Sequence, residues 1–195
     1  NRFLFVINEL GNSVTSFAFD GTSFSRVGKW TTLPPDFKSS APFTGGMSAP
    51  KASAIKLTAD GKLLMASNRG YDSIAFFDVD TETGTLKYRR DAKLGGSFPR
   101  DFELLPGEKF MVVGYELSNK IEICRFDRAA CTLEPVGEPI TAWKPIYFGV
   151  RPDRADAALQ KFVSGNVLPF GGVAASTSAV VDREIDVLDA AADEA

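Results

Sequence analysis

Four charged residues, Glu9, Arg69, Arg100 and Glu116, are placed by an internal repeat where they could act on one ligand. Three segments match almost position for position: Phe3 to Asp20 (FLFVINELGNSVTSFAFD), Leu63 to Asp80 (LLMASNRGYDSIAFFDVD) and Phe110 to Asp127 (FMVVGYELSNKIEICRFD). Superposing them puts Glu9, Arg69 and Glu116 at one position, the first turn residue after an apolar run. Arg100 opens a different run, Pro99-Arg100-Asp101-Phe102. A guanidinium holds carboxylate or phosphate through paired, charge-assisted hydrogen bonds, and a positioned carboxylate carries a proton. Acids and guanidinium groups converging on one rim suit an anionic ligand. Equally, charges at turns can simply be solvated.

Other chemistries are excluded by composition. The chain has no histidine, which removes a histidine-based triad, a histidine general base and imidazole metal ligation within its 195 residues. A formal net charge of -3 offers no basic field to nucleic acid. No apolar run approaches the roughly 20 residues of a spanning helix, so no membrane span is expected. Two cysteines, Cys124 and Cys131, make no disulfide framework. They are close enough in sequence to face each other across a strand and its return, but the expectation is two reduced thiols, with Cys124 packed in a sheet.

The elements that must position the charges follow from the repeat. Each copy is an apolar run, a polar break, a run of alternating character and a closing aspartate, which reads as an antiparallel hairpin. Three copies at this spacing indicate a repeat architecture whose four-strand unit is a β-propeller blade. Innermost strands are expected at Ala54 to Thr58 and Asp101 to Leu105, and outer strands at Thr22 to Thr32 and Leu86 to Arg90. The first copy has no inner strand ahead of it, so the chain is expected to open in mid-blade. The turns Ala59-Asp60-Gly61-Lys62 and Pro106-Gly107-Glu108-Lys109 match each other. Leu33 to Ser53, rich in Pro, Gly and Ser, is too long for a plain link between blades. Pro145-Ile146-Tyr147-Phe148 starts a fourth unit that stops after one strand. Two strand traverses return the chain to the face it left, so one rim is expected to collect Glu9, Arg69, Arg100 and Glu116.

The fold expected is therefore all-β over 1–150, about three blades plus one strand, followed by an extension over 151–195. In that extension Asp153 could cap a helix over Arg154 to Val163, and Ser178 a second with Val181, Ile185 and Leu188 on one side.

NELGNSVTSF, the TLP before the long connection, LTADGKLLMASNRGYDSIAFFDVD followed by TGTL, and FPRDFELLPGEKFMVV together resemble the seven-bladed propeller lactonases. That family includes bacterial 6-phosphogluconolactonase and fungal carboxy-cis,cis-muconate cyclase. The resemblance runs from Asn1 to about Val150 and corresponds to the C-terminal 45% or so of a family member. It implies a seven-bladed ring, Glu9 as the acid/base carboxylate, Arg69 as an arginine holding the substrate's anionic group, and Arg100 as a recurrent rim arginine. Three departures stand beside it. The family's histidine and a second arginine lie upstream of the part matched; Ala54 stands where an acidic residue is common; and the alanine-rich tail has no counterpart.

Three functions compete on this reading. A non-catalytic, lactonase-derived scaffold or accessory subunit is favoured by the departures. Alternatively, the chain is half of a split sugar-lactone hydrolase, with Glu9 handling the proton, Arg69 and Arg100 holding the anion, and no metal or other cofactor required. A peptide-binding propeller needs only the rim. The partners expected are a polypeptide supplying the remaining blades, a neighbouring subunit docked by residues 151–195, and an anionic sugar lactone. A cytoplasmic or organelle-matrix setting is the expectation for compartment.

Overall fold

The computed structural model describes residues 2–38 and 49–150. The helices expected in the tail lie outside these residues, as does the middle of the long connection. All regular structure among the described residues is strand. Strands β1 (Phe3–Asn8), β2 (Ser13–Phe19) and β3 (Phe24–Thr31) form the first sheet in that order. The second holds β4 (Lys51–Leu57), β5 (Leu63–Arg69), β6 (Ser73–Val79) and β7 (Leu86–Lys93). The third holds β8 (Pro99–Leu104), β9 (Phe110–Tyr115), β10 (Lys120–Asp127) and β11 (Thr132–Thr141). Chain neighbours lie side by side, antiparallel in β1–β2–β3, β4–β5–β6–β7 and β9–β10–β11, so each sheet is the meander of one blade. The chain divides into two compact units, one ending at Pro99 and holding the first two sheets, the other beginning at Arg100.

The central strands are hidden on both faces. Every residue of β5 is buried, so LLMASNR reads as a continuous apolar run closed by polar residues rather than as an alternation. Within the first unit, Val14 of β2 packs with Leu64, Ala66, Ala75, Phe77 and Leu86 of the second sheet, and Phe5, Ile7, Trp30 and Ile55 close around them. Gly84 (φ +72°) sits where any Cβ would run into the Phe3 ring, so a glycine is required there both for conformation and for room.

The closing aspartate of each repeat has a physical task. Asp20 accepts the Ser23 and Thr22 amides, Asp80 the Thr83 and Glu82 amides, and Asp127 the Ala130 amide, so each aspartate folds the turn that follows it. These bonds hold the Asp20 and Asp80 carboxyls below the ordinary carboxylate range. In each sheet the pairing of the outermost strand with its neighbour carries a register shift, at Ser16/Phe17, Phe76/Phe77 and Ile121/Ile123. Such bulges increase the local right-handed twist.

Some boundaries differ from expectation. Strand β4 begins at Lys51, so the long connection is shorter at its C-terminal end than read, because Lys51 and Ala52 pair with Arg69 and Asn68. Pro145 to Val150 has no ladder partner, the condition for a strand, yet the segment covers the third sheet. Phe148 is buried, donates its amide to Asp101 Oδ2 at 2.7 Å and lies over Gly114, where a Cβ would come within 2.8 Å of its ring.

Both cysteines are free thiols and buried. They do not face each other: Cys124 of β10 lies opposite Met111 and Pro135, whereas Cys131 occupies the hairpin between β10 and β11 with φ +52°. Burial pushes the Cys124 thiol up to about 12, so almost no thiolate exists at neutral pH. With the fold intact at pH 8, Cys124 is expected to resist a thiol reagent such as DTNB and to react once the protein is unfolded; rapid labelling of the native protein at Cys124 would contradict this.

Candidate functional site

Each of the four expected site residues lies where a second strand ends or an inner strand begins. Glu9 follows β1, Arg69 is the last residue of β5, Glu116 follows β9, and Arg100 is the second residue of β8. Among these residues the structure forms two ion pairs, one within each compact unit. In the first, Arg69 Nη2 donates to Glu9 Oε1 at 2.5 Å. In the second, Arg100 Nη1 stands 3.9 Å from Glu116 Oε2, beyond hydrogen-bond length.

The first pair is the better built. The Arg69 side chain is 5% exposed and the Glu9 side chain 56%, so a buried cation holds a carboxylate that still meets solvent. Arg69 Nη2 also reaches the Ala52 carbonyl at 3.3 Å, and the Ala52 amide donates to the Glu9 carbonyl at 3.0 Å. Strand β4 is thus the frame: it fixes the backbone of the Glu9 turn and receives the guanidinium from β5. Phe98 lies 5.3 Å from the guanidinium carbon by its ring centroid, a cation–π contact on a desolvated cation. Arg69 Nε is buried without a hydrogen-bond partner. A donor left so on a buried charged group is costly and calls for a reason.

Neighbouring side chains brace the frame. Asn68 Nδ2 donates to the Thr32 carbonyl at 2.8 Å and Thr32 Oγ1 donates to Asn68 Oδ1 at 2.6 Å, tying the end of β3 to β5. Asn8 Nδ2 reaches Thr15 Oγ1 at 2.9 Å across the first hairpin. The Ala54 amide is held by Ser67 Oγ at 3.0 Å, and Ala54 sits in the irregular stretch of β4 between its two runs of pairing.

Sequence reading missed the residues that hold the turns. Asn12, Asp72 and Asn119 occupy one position in the three repeats, and all are left-handed, with φ of +41°, +53° and +51°. Asn12 donates to the Pro50 carbonyl at 2.8 Å; Asp72 accepts the Phe98 amide at 2.8 Å; Asn119 accepts the Lys144 amide at 3.1 Å. The carbonyls of the same three residues accept Thr32, Leu94 and Ala142. Each turn is thereby clamped to the chain leaving its own sheet. Asx residues at one superposed turn position were the available signal, since Asn and Asp tolerate this conformation best after glycine.

The comparisons agree with the strand arrangement. The family described as "Lactonase, 7-bladed beta-propeller" matches residues 1–150. The chain belongs to this lactonase family. Its relatives include the 6-phosphogluconolactonase of Bacillus subtilis, 27% identical over 147 residues, which cover 74% of this chain and 40% of that protein. The periplasmic gluconolactonase of Pseudomonas aeruginosa has a solved structure that superposes with a TM-score of 0.65 at 25% identity, covering 75% of this chain and 38% of that one. A structure from Lactobacillus plantarum gives a TM-score of 0.63 at 29% identity, over 73% of this chain and 40% of its own. The chain spans 32–40% of the length of the curated relatives it matches. This lactonase-family chain thus carries blades of the propeller, with the Glu9–Arg69 pair on two adjacent sheets.

Proposed function

We propose that this chain supplies the acid/base part of a sugar-lactone hydrolase site, with Glu9 as proton carrier and Arg69 as the buried cation that orients it and adds positive charge behind it toward the substrate's anionic group. The observation that carries this reading is the asymmetry of the pair: a buried, fixed guanidinium under a carboxylate that is more than half exposed. A merely structural surface pair would have both partners solvated and would be worth little. In the reaction, Glu9 takes a proton from water as its oxygen attacks the lactone carbonyl carbon. The ring carbon–oxygen bond then breaks, and Glu9 returns the proton to the departing ring oxygen, leaving the open hydroxy acid. Lactones of phosphorylated or carboxylated sugars fit the anion requirement, in keeping with the names of the relatives. Arg100 and Glu116, in the second unit, are proposed as substrate contacts.

The remaining blades are proposed to come from polypeptide beyond these 195 residues. Leu4 and Val6 of β1 are 45% and 38% exposed, the apolar surface against which a further blade would pack. Docking of residues 151–195 on a neighbouring subunit stands as a proposal of the same kind. The test is hydrolysis of 6-phosphogluconolactone by the full propeller. Glu9→Gln keeps the size and a hydrogen-bonding oxygen but cannot carry the proton, and is expected to lower kcat by about a hundredfold or more. Turnover within about threefold of the parent would reject Glu9 as proton carrier, and a parent protein without turnover would favour the non-catalytic scaffold.

A further inference from the structure

We infer that Asp72 and Phe98 form a positioning device for Arg69: Asp72 holds Phe98 in a left-handed conformation so that its ring lies against the guanidinium, fixing the cation beneath Glu9. The inference rests on the reading of Glu9 and Arg69 given above. Phe98 is a bulky residue at φ +66°, a region that disfavours any side chain with a Cβ. Residues kept in such conformations persist only where their surroundings over-determine them, and they concentrate at functional sites. Here the determinant is visible. The Phe98 amide donates to Asp72 Oδ1 at 2.8 Å, and that same oxygen accepts the Gly70 amide at 3.0 Å, directly after Arg69. One carboxylate oxygen thus joins the end of the strand that carries the arginine to the residue that covers it. Phe98 is 6% exposed, so its ring and the guanidinium meet away from water, where the contact is strongest.

The clamp alone does not require an aromatic ring. The corresponding links run to Pro50 in the first hairpin and to Lys144 in the third. The second hairpin alone follows an arginine at the superposed position, and it alone seats a ring on that side chain. Phe98 therefore does something besides closing a turn.

Three substitutions in the full protein separate positioning from general support. Asp72→Asn retains an acceptor oxygen, as Asn119 demonstrates in the third sheet, and both Asn and Gly tolerate the left-handed turn. Asp72→Gly retains the turn and removes the acceptor. Phe98→Leu retains bulk and removes the ring. The ring current acting on the guanidinium gives the Arg69 Nε–H an NMR resonance that reports the contact whether or not a substrate turns over. Asp72→Gly is expected to move that resonance toward its place in Phe98→Leu, and Asp72→Asn to leave it within the parent's range. In the lactonase assay, Asp72→Gly and Phe98→Leu are expected to lower kcat about tenfold, with KM within about twofold. A folded Asp72→Gly protein whose Arg69 resonance is unmoved would overturn the inference. Displaced resonances with no turnover in the parent would instead uphold the positioning and remove only the lactonase reading.

Discussion

Arg69→Ala is expected to lower lactone hydrolysis by about a hundredfold, and Arg69→Lys to restore little of it. The expectation comes from how Arg69 is used. Its Nη2 alone serves two acceptors, Glu9 Oε1 and the Ala52 carbonyl, while the guanidinium carbon lies over the Phe98 ring at 5.3 Å. A lysine ammonium can supply charge at that depth, but its shorter, strongly hydrated head does not reproduce the place of Nη2 between the two acceptors or the delocalised cation over the Phe98 ring. Without the guanidinium, the exposed Glu9 carboxylate samples many positions. Misplacement of a catalytic group by about 1 Å is enough to cost on the order of a hundredfold. The measurement is kcat with 6-phosphogluconolactone, together with a thermal melt to establish that the variant is folded. An Arg69→Lys protein with more than half of the parent's kcat would show that charge suffices and that the geometry described here is incidental.

The largest effect on stability is expected from Phe77→Ala. Phe77 is fully buried in β6, meets the Tyr88 ring edge-on at 5.6 Å, and stands in the cluster that joins the first sheet to the second. Removing a fully buried phenyl ring costs about 3–5 kcal/mol, through lost transfer energy and the cavity left behind. Because Val14 and Phe77 belong to one cluster, the loss should loosen the contact between β1–β3 and the second sheet before the second sheet itself. Denaturant unfolding should give a lower midpoint, and amide exchange in β1 to β3 should accelerate most. A Phe77→Ala protein within about 1 kcal/mol of the parent would mean that the two sheets are held together elsewhere.

The sequence made the strands legible wherever one rule decided them. Hairpins such as Leu63 to Val79 announce themselves because apolar runs, a polar turn and a closing aspartate recur three times. Superposition of those copies put Glu9, Arg69 and Glu116 at one strand end, where Glu9 and Glu116 follow β1 and β9 and Arg69 closes β5. It did not find the pairing. Which acid meets which arginine depends on how far a side chain reaches across β4, and that distance has no local pattern. Phe98 was illegible for a related reason. Its left-handed backbone is imposed by an aspartate 26 residues earlier, whereas its own sequence, Ser97-Phe98-Pro99, suggests only an extended approach to β8. Pro145 to Phe148 reads as the start of a strand from its likeness to Pro99 to Phe102. Likeness to a strand supplies the residues but not the neighbour with which a ladder is made.

The clamped turns also differ in what they would tolerate chemically, because the Asn12 and Asn119 bonds run in opposite directions. Asparagine is among the thermolabile residues, and its slow deamidation replaces an amide by a carboxylate. At Asn119 the amide contributes only an acceptor oxygen, toward Lys144, and the resulting aspartate would serve as Asp72 already does. At Asn12 the bond runs the other way, from Nδ2 to the Pro50 carbonyl. There a carboxylate would lose the donor and set negative charge against a carbonyl oxygen at a buried position. Conversion of asparagine to aspartate would thus keep the bond in one hairpin, and in another it would unfasten the turn that carries Glu9.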